Sequence, residues 1–158
     1  MEKIRKRETI AANVVTYNRK KLLVECLDAL LKQNYPLDAI YIIDNASTDG
    51  TPELLKEKEY IKDLPPIDLD KPLERIYSIN MSLKDNEDKV VEIHYVRMNE
   101  NTGSSGGQYE GVKRGYEKGY DWLWLMDDDA LPAQNSLEKL FIAINSLSDQ
   151  DSHYVLWN

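Results

Sequence analysis

Four short apolar runs set the rhythm of this chain: "TIAANVVTYN" at residues 9–18, "AIYIID" at 39–44, "VVEIHYVRM" at 90–98 and "WLWLM" at 122–126. Strands so apolar leave little polar surface to face water, so both sides need cover. Helix-like segments stand between them. "RKKLLVECLDALLKQ" puts Leu22, Leu23, Cys26, Leu27, Leu30 and Leu31 on one helical face. "PELLKEKEY" reads as a helix with Pro52 in its first turn, and "NSLEKLFIAINSL" as another amphipathic helix. "HYVLW" begins a further strand. Repeated strand–helix order predicts an α/β fold with a mostly parallel sheet and helices on both faces.

Two stretches break this rhythm. Gly107, Gly111, Gly115 and Gly119 recur every fourth residue along one helical face. Each costs about 1 kcal/mol relative to alanine inside a helix, so the stripe predicts a helix lying unusually close to the sheet. From about Lys62 to Lys89 periodicity fails amid three prolines and many charges. That segment, about 62–89, reads as a long irregular insertion in a single domain spanning 1–158.

Bulk properties remove several function classes. With 20 Lys and Arg against 28 Asp and Glu, the net charge is -8, which disfavours nucleic acid or an anionic membrane surface as partner. The one cysteine, Cys26, excludes an intramolecular disulfide, fits a reducing compartment and sits in a helical apolar stripe as a core residue. No apolar run reaches the ~18 residues of a membrane span, and the N-terminus lacks a signal-peptide pattern. The expected location is the cytoplasm, with peripheral membrane contact left open.

In an open α/β sheet, ligands bind beyond the carboxyl ends of the strands. Those ends carry Thr16, Tyr17 and Asn18; Asp44 and Asn45; Asn99 and Asn101 with a glycine turn; and Asp127, Asp128 and Asp129. Singly each suits a turn or helix cap. Together they suggest one cleft. Three adjacent carboxylates at the mouth of a buried strand ask for a cation, and alternation along extended chain would aim Asp127 and Asp129 at a common point. Hard carboxylate oxygens suit Mg²⁺ or Mn²⁺. "NTGSSGGQ" adds backbone amides at a helix N-terminus, favourable to anions, though without a Walker lysine or GxGxxG spacing. "DNASTDGT" lacks the spacing of a calcium loop, and His94 and His153 read as structural histidines.

Four segments, "VVTYNRKKLLVECLDALLKQNYP", "IYIIDNASTDGT", "RMNENTGSSGGQYEGVKRGYEKGYDW" and "LMDDDALP", resemble in order the N-terminal part of a family 2 glycosyltransferase. Within it they look most like the galactofuranosyl- and rhamnosyl-transferring members. The resemblance implies a Rossmann-like GT-A sandwich, truncated at the C-terminus, and an inverting, metal-dependent transfer of sugar from a nucleoside diphosphate to a glycan, lipid-linked or other hydroxyl acceptor. It implies that Thr16, Tyr17 and Asn18 border the base, that Asp44 accepts a hydrogen bond from it, and that Asn45 supports that loop. Asn101, Gly103 and Gly107 would shape the donor wall, and Asp127 or Asp128 would face the ribose and phosphates. Asp127 and Asp129 match the DxD ligands of Mn²⁺ or Mg²⁺. A UDP-sugar is the first expectation for the donor and a dTDP-sugar the second.

The general base of the family follows the DxD, and Glu138, Asp149 and Asp151 sit in no matching motif, so the base is expected beyond Asn158 and the chain is expected to be a donor-binding part. A sugar nucleotidyltransferase would want a glycine-rich loop after the first strand, which "TYNRKKLL" lacks. A phosphotransfer receiver domain would want a lysine after a late strand, and none is evident. A non-catalytic nucleotide-binding module of the same fold is the remaining alternative.

Overall fold

The structure, a computed structural model, describes residues 7–83, 87–146 and 155–157. Its centre is a six-stranded sheet in the order β3-β4-β2-β1-β5-β6. β1 (Ile10–Thr16), β2 (Ala39–Asp44) and β5 (Trp122–Asp127) are parallel neighbours, and β4 (Asp88–Arg97) continues them in parallel beside β2. Every residue of β1 and β2 is buried, as expected of parallel strands covered on two faces. β6 (Val155–Trp157) adds a short parallel edge to β5. The expected α/β fold with a mostly parallel sheet is thus realised.

The two faces are built differently. Side chains such as Ala12, Val14, Ile40, Ile42, Trp124 and Met126 point into one core, which α1 (Lys20–Leu31), α2 (Thr51–Glu57) and α4 (Ser136–Ser146) help to fill through Leu23, Leu27, Leu55, Leu137 and Phe141. Alternate residues, among them Ala11, Val15, Tyr41, Ile43, Leu123 and Leu125, form a second core under α3 (Gly103–Lys118), with Val112 packed against it. Cys26 is fully buried in the first core. Leu22, expected on the apolar face of α1, is instead 40% exposed.

α3 explains the glycine stripe. A Cβ on Gly107 would stand 2.6 Å from Val15, one on Gly115 2.5 Å from Leu123, and one on Gly111 only 1.8 Å from Asn13 Oδ1. The helix lies so close to β1 and β5 that side chains are excluded at these three points. Gly119 has a different reason: it ends the helix at φ 88°, a left-handed conformation that glycine adopts without strain, with open space around it.

The segment 62–89 corrects the sequence reading. Residues Leu73–Ser82 are a ten-residue strand, β3, antiparallel to β4 from Leu73↔Arg97 to Ser82↔Asp88. All three prolines precede Leu73. Beyond them the chain alternates: Tyr77, Ile79 and Met81 turn to the first core, while Ile76, Ser78 and Asn80 stay exposed. His94 is buried, each ring nitrogen meets a glutamate, and its ring stacks on Tyr41, as a structural histidine should. His153, Asp149 and Asp151 lie outside the described residues.

Candidate functional site

The strand ends of β1 and β5 and the start of α3 enclose a cleft of about 250 Å³. Thr16, Tyr17, Asn45, Asn101, Gly103, Asp127 and Asp128, all expected from the sequence, line it. Val15, Arg19 and Ser104 complete the lining. A larger surface depression of about 340 Å³, between α1 and residues 131–134, holds Glu25, Asp28 and Lys32 but no strand-end residue. By the rule for open α/β sheets the first cleft is the candidate.

Its floor is hydrogen-bonded into one piece. Thr16 donates its hydroxyl to Asp128 Oδ2 at 2.8 Å, joining the ends of β1 and β5. Asn45 Nδ2 donates to the Gly103 carbonyl at 2.8 Å, while its Oδ1 accepts from the Thr102 hydroxyl at 3.1 Å. That pair ties the end of β2 to the start of α3. Gly103 enters the helix at φ 73°, a left-handed turn that glycine adopts without strain. Gly107 sits behind the wall, pressed against Val15 and Asn45 rather than open to the cleft.

Other expected residues take supporting places. Asp44 is fully buried: Oδ1 accepts from Ser47 N at 2.9 Å, and Oδ2 accepts from the Tyr95 hydroxyl and from Arg97 Nη1, each at 2.7 Å. The carboxylate orders the loop after β2 and does not line the cleft. Asn18, at φ 54°, donates its backbone N–H to Ser47 Oγ, and its Oδ1 accepts from Thr48 N at 2.7 Å, so it clips that loop to the end of β1.

The aspartates part company because the chain does. β5 ends at Asp127, and Asp128 and Asp129 form a turn, so strand alternation stops before it can align Asp127 with Asp129. Asp127 is exposed and accepts from the Ser104 hydroxyl at 3.1 Å. Asp128 is buried beneath Thr16, with Arg19 Nη1 3.5 Å from its Oδ1. Asp129 is 59% exposed at the side chain and faces the same guanidinium at 3.7 Å. Burial holds the Asp128 carboxyl above the usual range; the Thr16 hydroxyl and Arg19 pull it down, and Asp129 and Asp127 add to the rise. Among the described residues no three His, Cys, Asp or Glu side chains are gathered as a ready metal cage. Asp127 and Asp128 offer hard oxygens to the cleft all the same.

Arg19, Ser104, Tyr95 and Arg97 were not singled out by sequence. Arg19 directly follows the strand-end residues Thr16–Asn18, and Arg97 ends an apolar run two residues after Tyr95. Those positions were the available signals.

The family model described as glycosyl transferase family 2 matches residues 12–151. Galactofuranosyltransferase GlfT1 of Mycolicibacterium smegmatis is 28% identical over 130 residues, covering 82% of this chain and 33% of that protein. Among solved structures, S. aureus TarS 1–349 in complex with UDP-GlcNAc superposes with a TM-score of 0.59 at 19% identity, covering 87% of this chain and 31% of that one. Mannosyltransferase PcManGT from Pyrobaculum calidifontis, in complex with GDP-Man and Mn²⁺, gives 0.56 at 24% identity over 92% of this chain and 34% of that one. The chain spans about a third of each of these proteins.

Proposed function

The chain belongs to glycosyl transferase family 2, and from that premise we propose that its cleft binds the nucleoside diphosphate of a sugar donor for an inverting, metal-dependent transfer to a glycan or other hydroxyl acceptor. One observation carries the reading: Asp127, Asp128, Arg19 and the opening turn of α3 converge on a single cleft at the carboxyl ends of β1 and β5. The solved relatives with UDP-GlcNAc and with GDP-Man and Mn²⁺ support a nucleotide-sugar ligand of this class.

The residues have distinct work. Tyr17, with 44% of its surface exposed, offers a ring to a base, and Thr16 holds Asp128 in place beside it. Asp44 orders the loop after β2; its Oδ2 is taken by Tyr95 and Arg97, so Oδ1, which accepts only from Ser47 N, is the oxygen we assign to a base N–H. The amides that open α3, with Ser104, suit the phosphates. Asp127, exposed in the cleft, and Asp129, 59% exposed in the turn after β5, are the carboxylates we assign to Mn²⁺ or Mg²⁺. Such ions take one or two carboxylates and complete their shell with water and phosphate oxygens, so this sparse donor set fits. When bound, the ion supplies Lewis-acid stabilisation of the leaving diphosphate. We assign the general base to none of these residues, and the reaction belongs to the whole protein. Among the described residues no helix is long and apolar enough to cross a membrane, and we place the protein in the cytoplasm, with a membrane-face acceptor allowed.

Calorimetric titration with UDP, dTDP and GDP, each with and without Mn²⁺, tests the reading. We expect one nucleotide, UDP first and dTDP second, to bind only with the ion, and Asp127→Ala to weaken it by roughly a hundredfold. A folded chain that binds none of the three with Mn²⁺ present overturns the proposal.

A further inference from the structure

The glycine face that brings α3 close to the sheet creates a difficulty. Gly107, Gly111 and Gly115 bring no side chains of their own against Val15, Asn13 and Leu123, and Val112 adds only apolar packing, which does not by itself hold the helix to one position along the sheet. Yet the first turn of that helix forms a wall of the donor cleft, where Gly103 and Ser104 must stand at a fixed place beside Asp127.

One polar side chain on this face makes directional contacts with both strands. Gln108 is only 6% exposed, and both ends of its carboxamide are engaged. Nε2 donates to the Met126 carbonyl at 3.0 Å, the residue immediately before Asp127. Oε1 accepts from Asn13 Nδ2 at 2.6 Å, in the middle of β1. Ser104 lies one turn before Gln108, and Gly111, which Asn13 abuts, lies one turn after. A buried carboxamide is costly unless bonded at both ends, and hydrogen bonds, unlike apolar contact, hold only at one register.

We propose that Gln108 is a positioning residue for the donor cleft: with Asn13 it locks the register of α3 on β1 and β5, and so sets the place of Ser104 and the opening amides of α3 relative to Asp127. The consequence for nucleotide affinity rests on the donor-binding reading above; the lock itself does not.

Gln108→Met keeps the length and apolar body of the side chain and removes both directional contacts. We expect it to fold, to bind the Mn²⁺–nucleotide roughly tenfold more weakly, and to shift the backbone amide resonances of Ser104 and Asp127 while those of Leu27 and Leu30 on the opposite face stay put. Gln108→Glu, which still accepts from Asn13 but cannot donate to Met126, should shift Asp127 more than Asn13 and takes over the test if Gln108→Met does not fold. Unchanged Ser104 and Asp127 resonances in a folded variant overturn the lock, and nucleotide affinity within twofold of a wild type that binds overturns the positioning role of Gln108. If the wild-type chain binds no nucleotide, the donor reading falls while the resonances still decide the lock.

Discussion

Two groups of three carboxylates sit around this sheet, and they are in opposite physical states. On the α3 side of the β3–β4 pair, Glu74, Glu92 and Glu110 surround His94 and Arg114. His94, 1% exposed, has Glu74 at 2.9 Å and Glu92 at 3.0 Å on its two ring nitrogens. Arg114 joins Glu74 at 3.0 Å to Glu110 at 2.9 Å, and Tyr120 donates to Glu92. At the strand ends, Asp128 and Asp129 share the Arg19 guanidinium, at 3.5 and 3.7 Å, and Asp127 takes only the Ser104 hydroxyl. Among the described residues Asp127 has no ion pair. The first group is closed by close partners from its own chain. The second is held in place with capacity unspent, which is the condition of a binding site. Counting acidic residues would not separate them; the distance to their nitrogen partners does, 2.9–3.0 Å in the first group against 3.5–3.7 Å in the second.

The largest expected effect is on the closed group. His94→Ala removes a fully buried ring stacked on Tyr41 and strips a partner from two glutamates, so we expect a loss of about 2–4 kcal/mol in denaturant unfolding. Nucleotide affinity should stay within twofold, because His94 shares no contact with the cleft lining. A variant that unfolds normally but loses nucleotide would erase the distinction between the groups.

The open group should answer in the other direction. Asp128→Asn keeps an acceptor for the Thr16 hydroxyl and removes a buried charge. For an acid whose folded pKa is raised, the linked stability is full below the unfolded value of about 3.9 and lost as pH rises through the folded value. Above the folded value the wild type has lost it, so the variant should be more stable there by roughly 1 kcal/mol, a gap that closes as pH falls through the folded value and is gone below about 4. Donor affinity should fall by about tenfold or more. Melting curves at pH 7 showing the variant less stable would mean that Asp128 is a structural group like the glutamates.

The parts of this contrast that were legible in the sequence share a physical cause. β1, β2 and β5 are covered on both faces and therefore read as unbroken apolar runs; "AIYIID" is β2 residue for residue. The glycine stripe was legible because helical glycine is costly enough to require a reason. β3 escaped because it is an edge strand with one covered face, carries Glu74 and Arg75, and directly follows Pro72. Asp44 was found but not its depth, because its partner Arg97 stands opposite it in the β2–β4 register, which no local pattern encodes. Strand alternation does not relate Asp127 to Asp129, because β5 ends at Asp127 and residues 128–129 form a turn. Arg19 reads locally as a solvated helix start, and only the fold brings it over the aspartates.

Asp49 offers the smallest and most delicate test, since it is satisfied by two backbone N–H groups and a hydroxyl rather than by a cation. Its Oδ1 accepts from the Thr51 N–H at 3.1 Å and hydroxyl at 2.6 Å, and its Oδ2 from the Lys20 N–H at 3.2 Å, so one carboxylate serves the N-termini of both α1 and α2. Partial burial works against the charge, but the bonds from Thr51 and Lys20 prevail and hold the carboxyl below its ordinary range. A depressed carboxyl contributes stability that is present above the unfolded value of about 3.9 and lost as pH falls through the folded one. Asp49→Ala should therefore cost about 0.5–1 kcal/mol at pH 7, toward the low end for a helix cap because the group is partly exposed. The difference in melting temperature between the two proteins should hold steady down to about pH 5 and shrink below about pH 4. This is the reverse of the trend for Asp128, where wild type gains on its variant as acid is added by shedding a buried charge. Parallel curves for the two positions would mean that the strand-end aspartate is as fully satisfied as the cap, and that the contrast between open and closed carboxylates fails at the site where function needs it.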